Sequence, residues 1–247
     1  MPRLTIGYST LAERSANIRF PSGDFAFSLF VQNPKQQTFV APAGVEVVVV
    51  EGVGVAKSRN QALRSCQSEL LIFGDDDVVF DPEQLGRAVA EFDKDPELVL
   101  LLLAAKDEQG RVRKRYPSAR EKLNLFNCAR AATYEIMLRP QAVRSLGVSF
   151  DESFGAGAKN YLGDEYIFIS DLIRKGAKCE FAPIYVASHS ADSSGERWGS
   201  REDRLARAAV FDRVFGPVSW LVRIGFALRR YRQLGGVAKA LAFVFGR

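Results

Sequence analysis

Carboxylates gather at two places in this sequence, and a single imidazole stands near its third quarter. The stretch LLIFGDDDVVFDP sets Asp75, Asp76 and Asp77 directly after an apolar run. Three adjacent carboxylates repel one another, by about 1 kcal/mol per pair at 4 Å in water and by more at lower effective dielectric. A divalent cation relieves that repulsion. Mg2+ and Mn2+ favour oxygen ligands and are often shared with substrate phosphates. Helix capping does not account for the cluster, because Asp81 before Pro82 already serves the next helix. The alternative is a solvated acidic turn. In FGAGAKNYLGDEYIF a glycine-rich loop leads to Asp164 and Glu165 at a helix start. Acids there cap the helix and complement its dipole. The same placement suits a carboxylate that takes a proton from a substrate hydroxyl.

His189 is the only histidine. It follows IYVAS and precedes the polar SADSSGERWG, where it is either a structural or exposed side chain or a metal ligand. A fourth segment, EGVGVAKSRNQAL, superficially suggests a phosphate loop. It fails the Walker pattern because Ala56 precedes Lys57, and the dinucleotide fingerprint because Lys57 holds the third glycine position. What remains is a helix start with Lys57, Ser58, Arg59 and Asn60. Such a turn either holds a phosphate or carries solvated basic residues.

These groups need elements to position them. Hydrophobic patterning predicts strands over 4–9, 25–31, 45–50, 69–73, 98–105, 133–138, 178–181 and 184–188. The unbroken apolar run at 45–50 reads as a strand covered on both faces. Helices are predicted over 57–66, 82–92, 140–146, 164–175 and 200–215, with Asp164 as a cap and Gly176 as a stop. Strands alternating with helices predict an α/β fold: a mostly parallel central sheet with helices on both faces. Ligands in such sheets bind at the carboxyl ends of the strands.

The 247 residues suit one large domain or two small ones, and 47% apolar with 26% charged residues argues against a disordered or multi-span membrane chain. Cys66, Cys128 and Cys179 are odd in number and in no metal-ligand spacing, which fits a reducing compartment. MPRLTIGYST has no apolar signal core. A cytoplasmic location is expected. The net charge of +5 is unevenly spread: residues 216–247 hold six of the 34 basic residues and no acid, so residues 1–215 carry 28 basic against 29 acidic residues. Residues 216–247 also hold Trp220, Leu221, Ile224, Phe226 and Leu228, in runs too short to span a bilayer. The expected organisation is a catalytic domain over 1–215 and a basic amphipathic helical tail over 216–247. The tail either lies on an anionic membrane surface or packs on its own domain. The near-neutral body disfavours nucleic acid as a partner.

Taken together, the strand ending at Tyr8-Ser9-Thr10, AKSRNQAL, GDDD, FGAGAKNYLGDEYIF and the HS after IYVAS resemble family 2 glycosyltransferases of the GT-A fold. The resemblance covers roughly residues 3 to 215, and FGAGAK…GDEYIF resembles bacterial enzymes that build surface polysaccharides. It implies inverting transfer of a sugar from a nucleotide-diphosphate donor to an acceptor hydroxyl, on a glycan or lipid-linked precursor, with Mn2+ or Mg2+ as cofactor. Carried over by position, Ser9, Thr10 and Gln32 would line the nucleoside pocket and Arg59 would approach the phosphates. Asp75 and Asp76 would face the ribose, and Asp77 and His189 would bind the metal. Glu165 would be the general base, with Asp164 orienting the acceptor. The family's usual order at this place is Glu then Asp. The inverted order here either sets the acceptor further out or gives Asp164 the role of base. Two other readings stand beside this one. A sugar-nucleotide nucleotidyltransferase would need a glycine-rich basic loop after the first strand, which IGYSTLAERSANIRF lacks. A non-catalytic nucleotide-sugar-binding or scaffold protein at a membrane would tolerate substitution of Glu165.

Overall fold

A computed structural model describes residues 2–246, apart from Pro34, Thr38, 41–42, Arg113 and 190–197. The chain forms a sheet ordered β3-β2-β1-β4-β8-β6-β9-β5, with the short β7 also on β9. The strands are β1 (Leu4–Leu11), β2 (Ala26–Gln32), β3 (Glu46–Val50), β4 (Leu70–Asp75), β5 (Val78–Phe80), β6 (Leu98–Asp107), β7 (Glu121–Lys122), β8 (Ile136–Leu138) and β9 (Lys178–His189). Along β4 the side chains alternate. Leu70 and Ile72 join one core layer, and Leu71 and Phe73 the other. That period of two is what a strand buried on both faces requires.

Helices cover both faces. α1 (Val55–Ser65), α3 (Pro140–Ser145), α4 (Asp164–Arg174) and α5 (Arg201–Phe215) close one layer through Ala62, Val143, Phe168 and Val210. α2 (Pro82–Lys94) closes the other through Leu85, Ala88 and Phe92. It starts as predicted: the Asp81 carboxylate accepts from the Glu83 and Gln84 amides, and Pro82 occupies the first helical turn.

The fold is the expected mixed α/β class, but parallel pairing is confined to β3-β2-β1-β4 and β6-β9. β8 runs antiparallel to both β4 and β6. The reason lies in the connection. The chain returns from β6 to β8 through loops and β7, without the helical crossover that a parallel neighbour needs. β3, read from its valines as covered on both faces, is instead the sheet's edge, with Val49 61% exposed. The two strands predicted over 178–188 are one. Pro183 is tolerated because β6 slips register opposite it, and on the other side it lies between the segments paired with β7 and β5.

The C-terminal segment folds into α6 (Ser219–Arg230) and α7 (Val237–Val244). Their Ala227, Ala240, Phe243 and Val244 form a small core with Ala208 and Phe211 of α5. Trp220, Leu221, Leu228 and Leu241 stay at least half exposed. Among the described residues no helix is long and apolar enough to cross a membrane.

Candidate active site

At the carboxyl ends of β1, β2 and β4 the sheet opens into a cavity of about 870 Å3. All ten residues singled out in the sequence line it: Ser9, Thr10, Gln32, Arg59, Asp75, Asp76, Asp77, Asp164, Glu165 and His189. Each arrives from a different local device. Ser9 and Thr10 end β1, Gln32 ends β2, and Asp75 ends β4. The Gln32 amide donates to the Gly54 carbonyl at 2.8 Å and so ties the loop before α1 to the sheet. Ser9 Oγ is buried with no hydrogen-bond partner among the described residues, a polar atom left for a ligand.

The three adjacent aspartates have three different environments. Burial raises the Asp75 carboxyl above its ordinary range, against the opposing pull of Arg59. Burial also raises Asp76, although Thr10 Oγ1 donates to it at 2.7 Å and Arg14 pairs with it at 2.5 Å. Asp77 is the most exposed of the three and is held below its ordinary range by the hydrogen bond to His189. Its Oδ1 lies 3.2 Å from His189 Nε2. Backbone pairing sets this contact, since β5 follows the acids directly and Val78 is registered opposite His189. The Tyr134 ring stacks on the imidazole at 5.0 Å between centroids and 12° between planes. The residues after His189, 190–197, lie outside the described residues, and with them Ser190 of the HS motif.

A cation fits here. Asp77 and His189 offer one oxygen and one nitrogen at a spacing that one ion can bridge. Mg2+ and Mn2+ commonly take only one or two protein ligands and complete their shell with phosphate and water. Among the described residues no group of three or more metal-ligating side chains forms.

Across the cavity, Asp164 and Glu165 open α4. The predicted cap is displaced by one residue: Gly163, at φ 91°, caps the helix, and Asp164 is its first residue. The left-handed backbone favours glycine there, and Val210 of α5 would lie 2.4 Å from a Cβ. Gly155, at φ 94°, passes so close that a Cβ would meet the Asp164 carboxyl carbon at 2.7 Å. Asp164 is thus enclosed, 3% exposed, while the Glu165 side chain keeps 20% of its surface open.

Arg59 binds both acids. Its Nη1 donates to Asp164 Oδ2, and to Glu165 Oε1 at 3.3 Å, while Nη2 faces Asp75 at 3.7 Å. Thr133 Oγ1 donates to Glu165 Oε1 at 2.5 Å. Burial and the neighbouring Glu165 charge push Asp164 up to about 7. Glu165 is also buried, but Arg59 and Thr133 outweigh that cost and hold it below its ordinary range. One proton shared by the pair therefore resides on Asp164, and Glu165 is the ionised member at neutral pH.

The motifs did not reveal Arg14, Thr133, Tyr134 or Lys114, which also line the cavity. Thr133 and Tyr134 are held in place by the fully buried Glu135. That carboxylate accepts from Lys114 Nζ at 2.8 Å, Tyr116 Oη at 2.5 Å and the Ala132 amide at 2.9 Å. Nothing in AATYEIM beyond a lone Glu in an apolar run hinted at this network.

A family model described as Glycosyl transferase family 2 matches residues 35–154, just under half of the chain. Among solved structures, S. aureus TarS superposes with a TM-score of 0.59 at 14% identity, covering 93% of this chain and 43% of that one. S. aureus TarS 1-349 in complex with UDP-GlcNAc gives 0.56 at 14% identity, covering 98% and 81%. The mannosyltransferase PcManGT from Pyrobaculum calidifontis, in complex with GDP-Man and Mn2+, gives 0.51 at 13% identity, covering 99% and 68%. The chain spans less than half the length of the first of these. No curated protein sequence matches. The architecture is the GT-A fold, and the segment match together with the fold supports a glycosyltransferase.

Proposed function

We propose that this chain is an inverting glycosyltransferase of family 2. It would move a sugar from a nucleotide-diphosphate donor to an acceptor hydroxyl on a glycan or lipid-linked precursor, as bacterial surface-polysaccharide enzymes do. One observation carries the reading. A cation-ready pair, Asp77 and His189, shares a cavity with an ionised carboxylate, Glu165, aimed into the same space. Relatives in fold are solved with UDP-GlcNAc or with GDP-Man and Mn2+, which favours donors of the UDP or GDP class.

In this reading Ser9, Thr10, Gln32, Asp75 and Asp76 flank the nucleoside, and Arg59 stands at the phosphate side. Asp77 and His189 would hold Mn2+ or Mg2+, which when bound supplies the positive charge that stabilises a departing diphosphate. Glu165 takes the proton of the attacking hydroxyl. Thr133 and Arg59 fix the direction of its carboxylate, and protonated Asp164 can orient the acceptor by donating a hydrogen bond. Attack from the face opposite the leaving group inverts the anomeric carbon.

The exposed apolar residues of α6 and α7, with basic Arg229, Arg230, Arg232 and Lys239 beside them and no acids after 215, favour attachment to an anionic membrane surface from the cytoplasmic side. Residues 216–247 would be the membrane-facing segment of an otherwise catalytic chain. Arg247 lies outside the described residues.

Thermal melting against a panel of nucleoside diphosphates, with and without Mn2+, tests the core of the reading. Ligand binding to the native state raises the melting temperature by mass action. A shift with one nucleotide that needs metal and vanishes in Asp77→Ala is expected. No shift with any nucleotide, in a folded sample, sinks it.

A further inference from the structure

Glu135 is a fully buried carboxylate with no part in the chemistry proposed so far. It closes a short 3-10 turn, Thr133–Glu135, that runs straight into β8. β8 is antiparallel to β4, with Met137 opposite Ile72, so the start of β8 lies beside the end of β4 and its acids. Thr133 and Tyr134 line the cavity, whereas Glu135 is not part of its lining. Thr133 Oγ1 donates to Glu165, and the Tyr134 ring stacks on His189. Adjacent residues of one turn therefore touch the two halves of the chemistry, the proton acceptor and the metal pair.

The third residue of that turn is gripped from several directions. Lys114 Nζ donates to its Oε1 at 3.0 Å and to Oε2 at 2.8 Å, Tyr116 Oη donates to Oε1 at 2.5 Å, and the Ala132 amide donates to Oε2 at 2.9 Å. The donors are tied down in turn. Lys114 Nζ also donates to the Arg130 carbonyl at 2.9 Å, and Tyr116 Oη accepts from the Ala105 amide of β6 at 3.1 Å. The Tyr116 ring stacks on Phe181 of β9, with 6.0 Å between centroids and 8° between planes. One carboxylate thus fixes the turn against β6 and β9. Stability alone is a poor reason for it, because apolar side chains of similar volume often replace a buried ion pair at no loss. Donors that hold both oxygens specify a position.

We propose that Glu135 is a positioning residue that sets the metal pair and the proton acceptor as one unit. The proposal rests on the glycosyltransferase reading for the roles of Asp77, His189 and Glu165, and adds to it a residue that none of the motifs contains. Glu135 touches neither of these groups itself. It acts through Thr133 on the direction of the Glu165 carboxylate and through Tyr134 on the plane of the His189 ring. Groups that orient a metal-binding imidazole from behind commonly govern metal affinity. Loosening Glu135 disturbs both halves together, whereas substituting Thr133 or Tyr134 disturbs one each.

The test uses the full chain and two readouts that need no turnover. Mn2+ affinity is measured with saturating UDP or GDP from the paramagnetic resonance of the free ion. The Glu165 carboxyl is titrated by carbon NMR in the metal-free protein, its signal identified by its absence in Glu165→Gln. Glu135→Gln is expected to weaken Mn2+ binding by about tenfold. It should also raise the Glu165 titration by about one pH unit, the weight of a hydrogen bond to a charged group. Thr133→Val should move the titration alone, and Tyr134→Leu the Mn2+ affinity alone. Glu165 is also faced by Arg59, Asp164 and Asp75, and none of these is altered. Lys114→Met, Tyr116→Phe and Glu135→Leu combined give an apolar version of the same node, which is expected to fold and to show both losses. Wild-type values of both readouts in a folded variant overturn the positioning role alone. So does a loss confined to one readout, or failure of both variants to fold, which would make Glu135 structural. Failure of the wild type to bind Mn2+ with either nucleotide overturns the glycosyltransferase reading, and the metal half of the proposal with it.

Discussion

Replacing Arg59 with methionine removes the cation that Asp75, Asp164 and Glu165 share while roughly keeping the length of the side chain. Arg59 is 4% exposed, so solvent cannot take its place without the site opening. Two of its contacts are hydrogen bonds, one to Asp164 and one to the ionised Glu165, and the third is a pairing with Asp75 at 3.7 Å. Removing one partner of a buried ion pair costs about 3–5 kcal/mol, chiefly because the remaining charge is stranded. In a domain of this size 1 kcal/mol moves the melting temperature by about 2–4 °C, so the expected fall is roughly 6–20 °C. The loss must depend on pH. Without Arg59 the carboxyls are raised further in the folded chain than in the unfolded one. Their ionisation then destabilises the fold, and the penalty grows as pH rises. Melting the wild type and Arg59→Met at pH 5 and pH 8 checks both points, with the larger deficit expected at pH 8. A deficit equal at both values, or none at all, would refute the claim that Arg59 acts through the charges it neutralises.

Thr133→Val deletes the hydrogen bond that stabilises ionised Glu165, worth about 1.5–3 kcal/mol. The acidic limb of the kcat profile should move to higher pH, and a steady-state pH series would expose an unmoved limb. Asp164 has its carboxyl raised to about 7, so the unfolded chain releases that proton first and the fold loses stability as pH climbs from about 4 to about 7. Asp164→Asn should flatten that slope in denaturant titrations, and an undiminished slope places its origin elsewhere. Leu221→Ser with Leu228→Ser removes two exposed side chains, 53% and 75% open, from α6. At about 1.5–3 kcal/mol per fully buried leucine, even partial insertion implies at least a tenfold loss of binding to phosphatidylserine vesicles by sedimentation. Unchanged sedimentation would detach α6 from the membrane reading.

Much of this was legible in the chain because the chemistry sits where patterns are strongest. β4 alternates between two core layers and then stops at acids, so Asp75 to Asp77 had to lie at a strand's carboxyl end. Asp164 and Glu165 follow a glycine-rich run whose glycines are demanded by the close approach of the Asp164 carboxyl and of Val210. What stayed hidden depends on contacts distant in sequence. Thr133 meets Glu165 across 32 positions, and Arg14 meets Asp76 across the sheet from a turn with no motif. β3 looked like an interior strand because valines fit any pleated surface. Whether a neighbour covers it is decided by strand order, which periodicity does not encode. The one-residue shift of the α4 cap arose because Asp164 satisfies every local preference for a cap, yet the neighbouring glycine alone fits under Val210. The C-terminal helices, read either as a membrane-surface tail or as a segment packed on its own domain, also supply Phe226 and Arg230 to the cavity, which no local pattern in the tail announced.

The register between β5 and β9 has a wider consequence. Val78 opposite His189 means that the meeting of residues 77 and 189 is dictated by main-chain hydrogen bonds, whatever side chains stand there. The two positions behave as an interchangeable socket. In the proposed metal site, swapping His189 for aspartate, or Asp77 for glutamate, would alter the hardness and reach of the ligands while the ladder beneath them stays intact. Metal preference there would then be open to single substitutions, for a lineage under selection or for an engineer choosing Mg2+ over Mn2+.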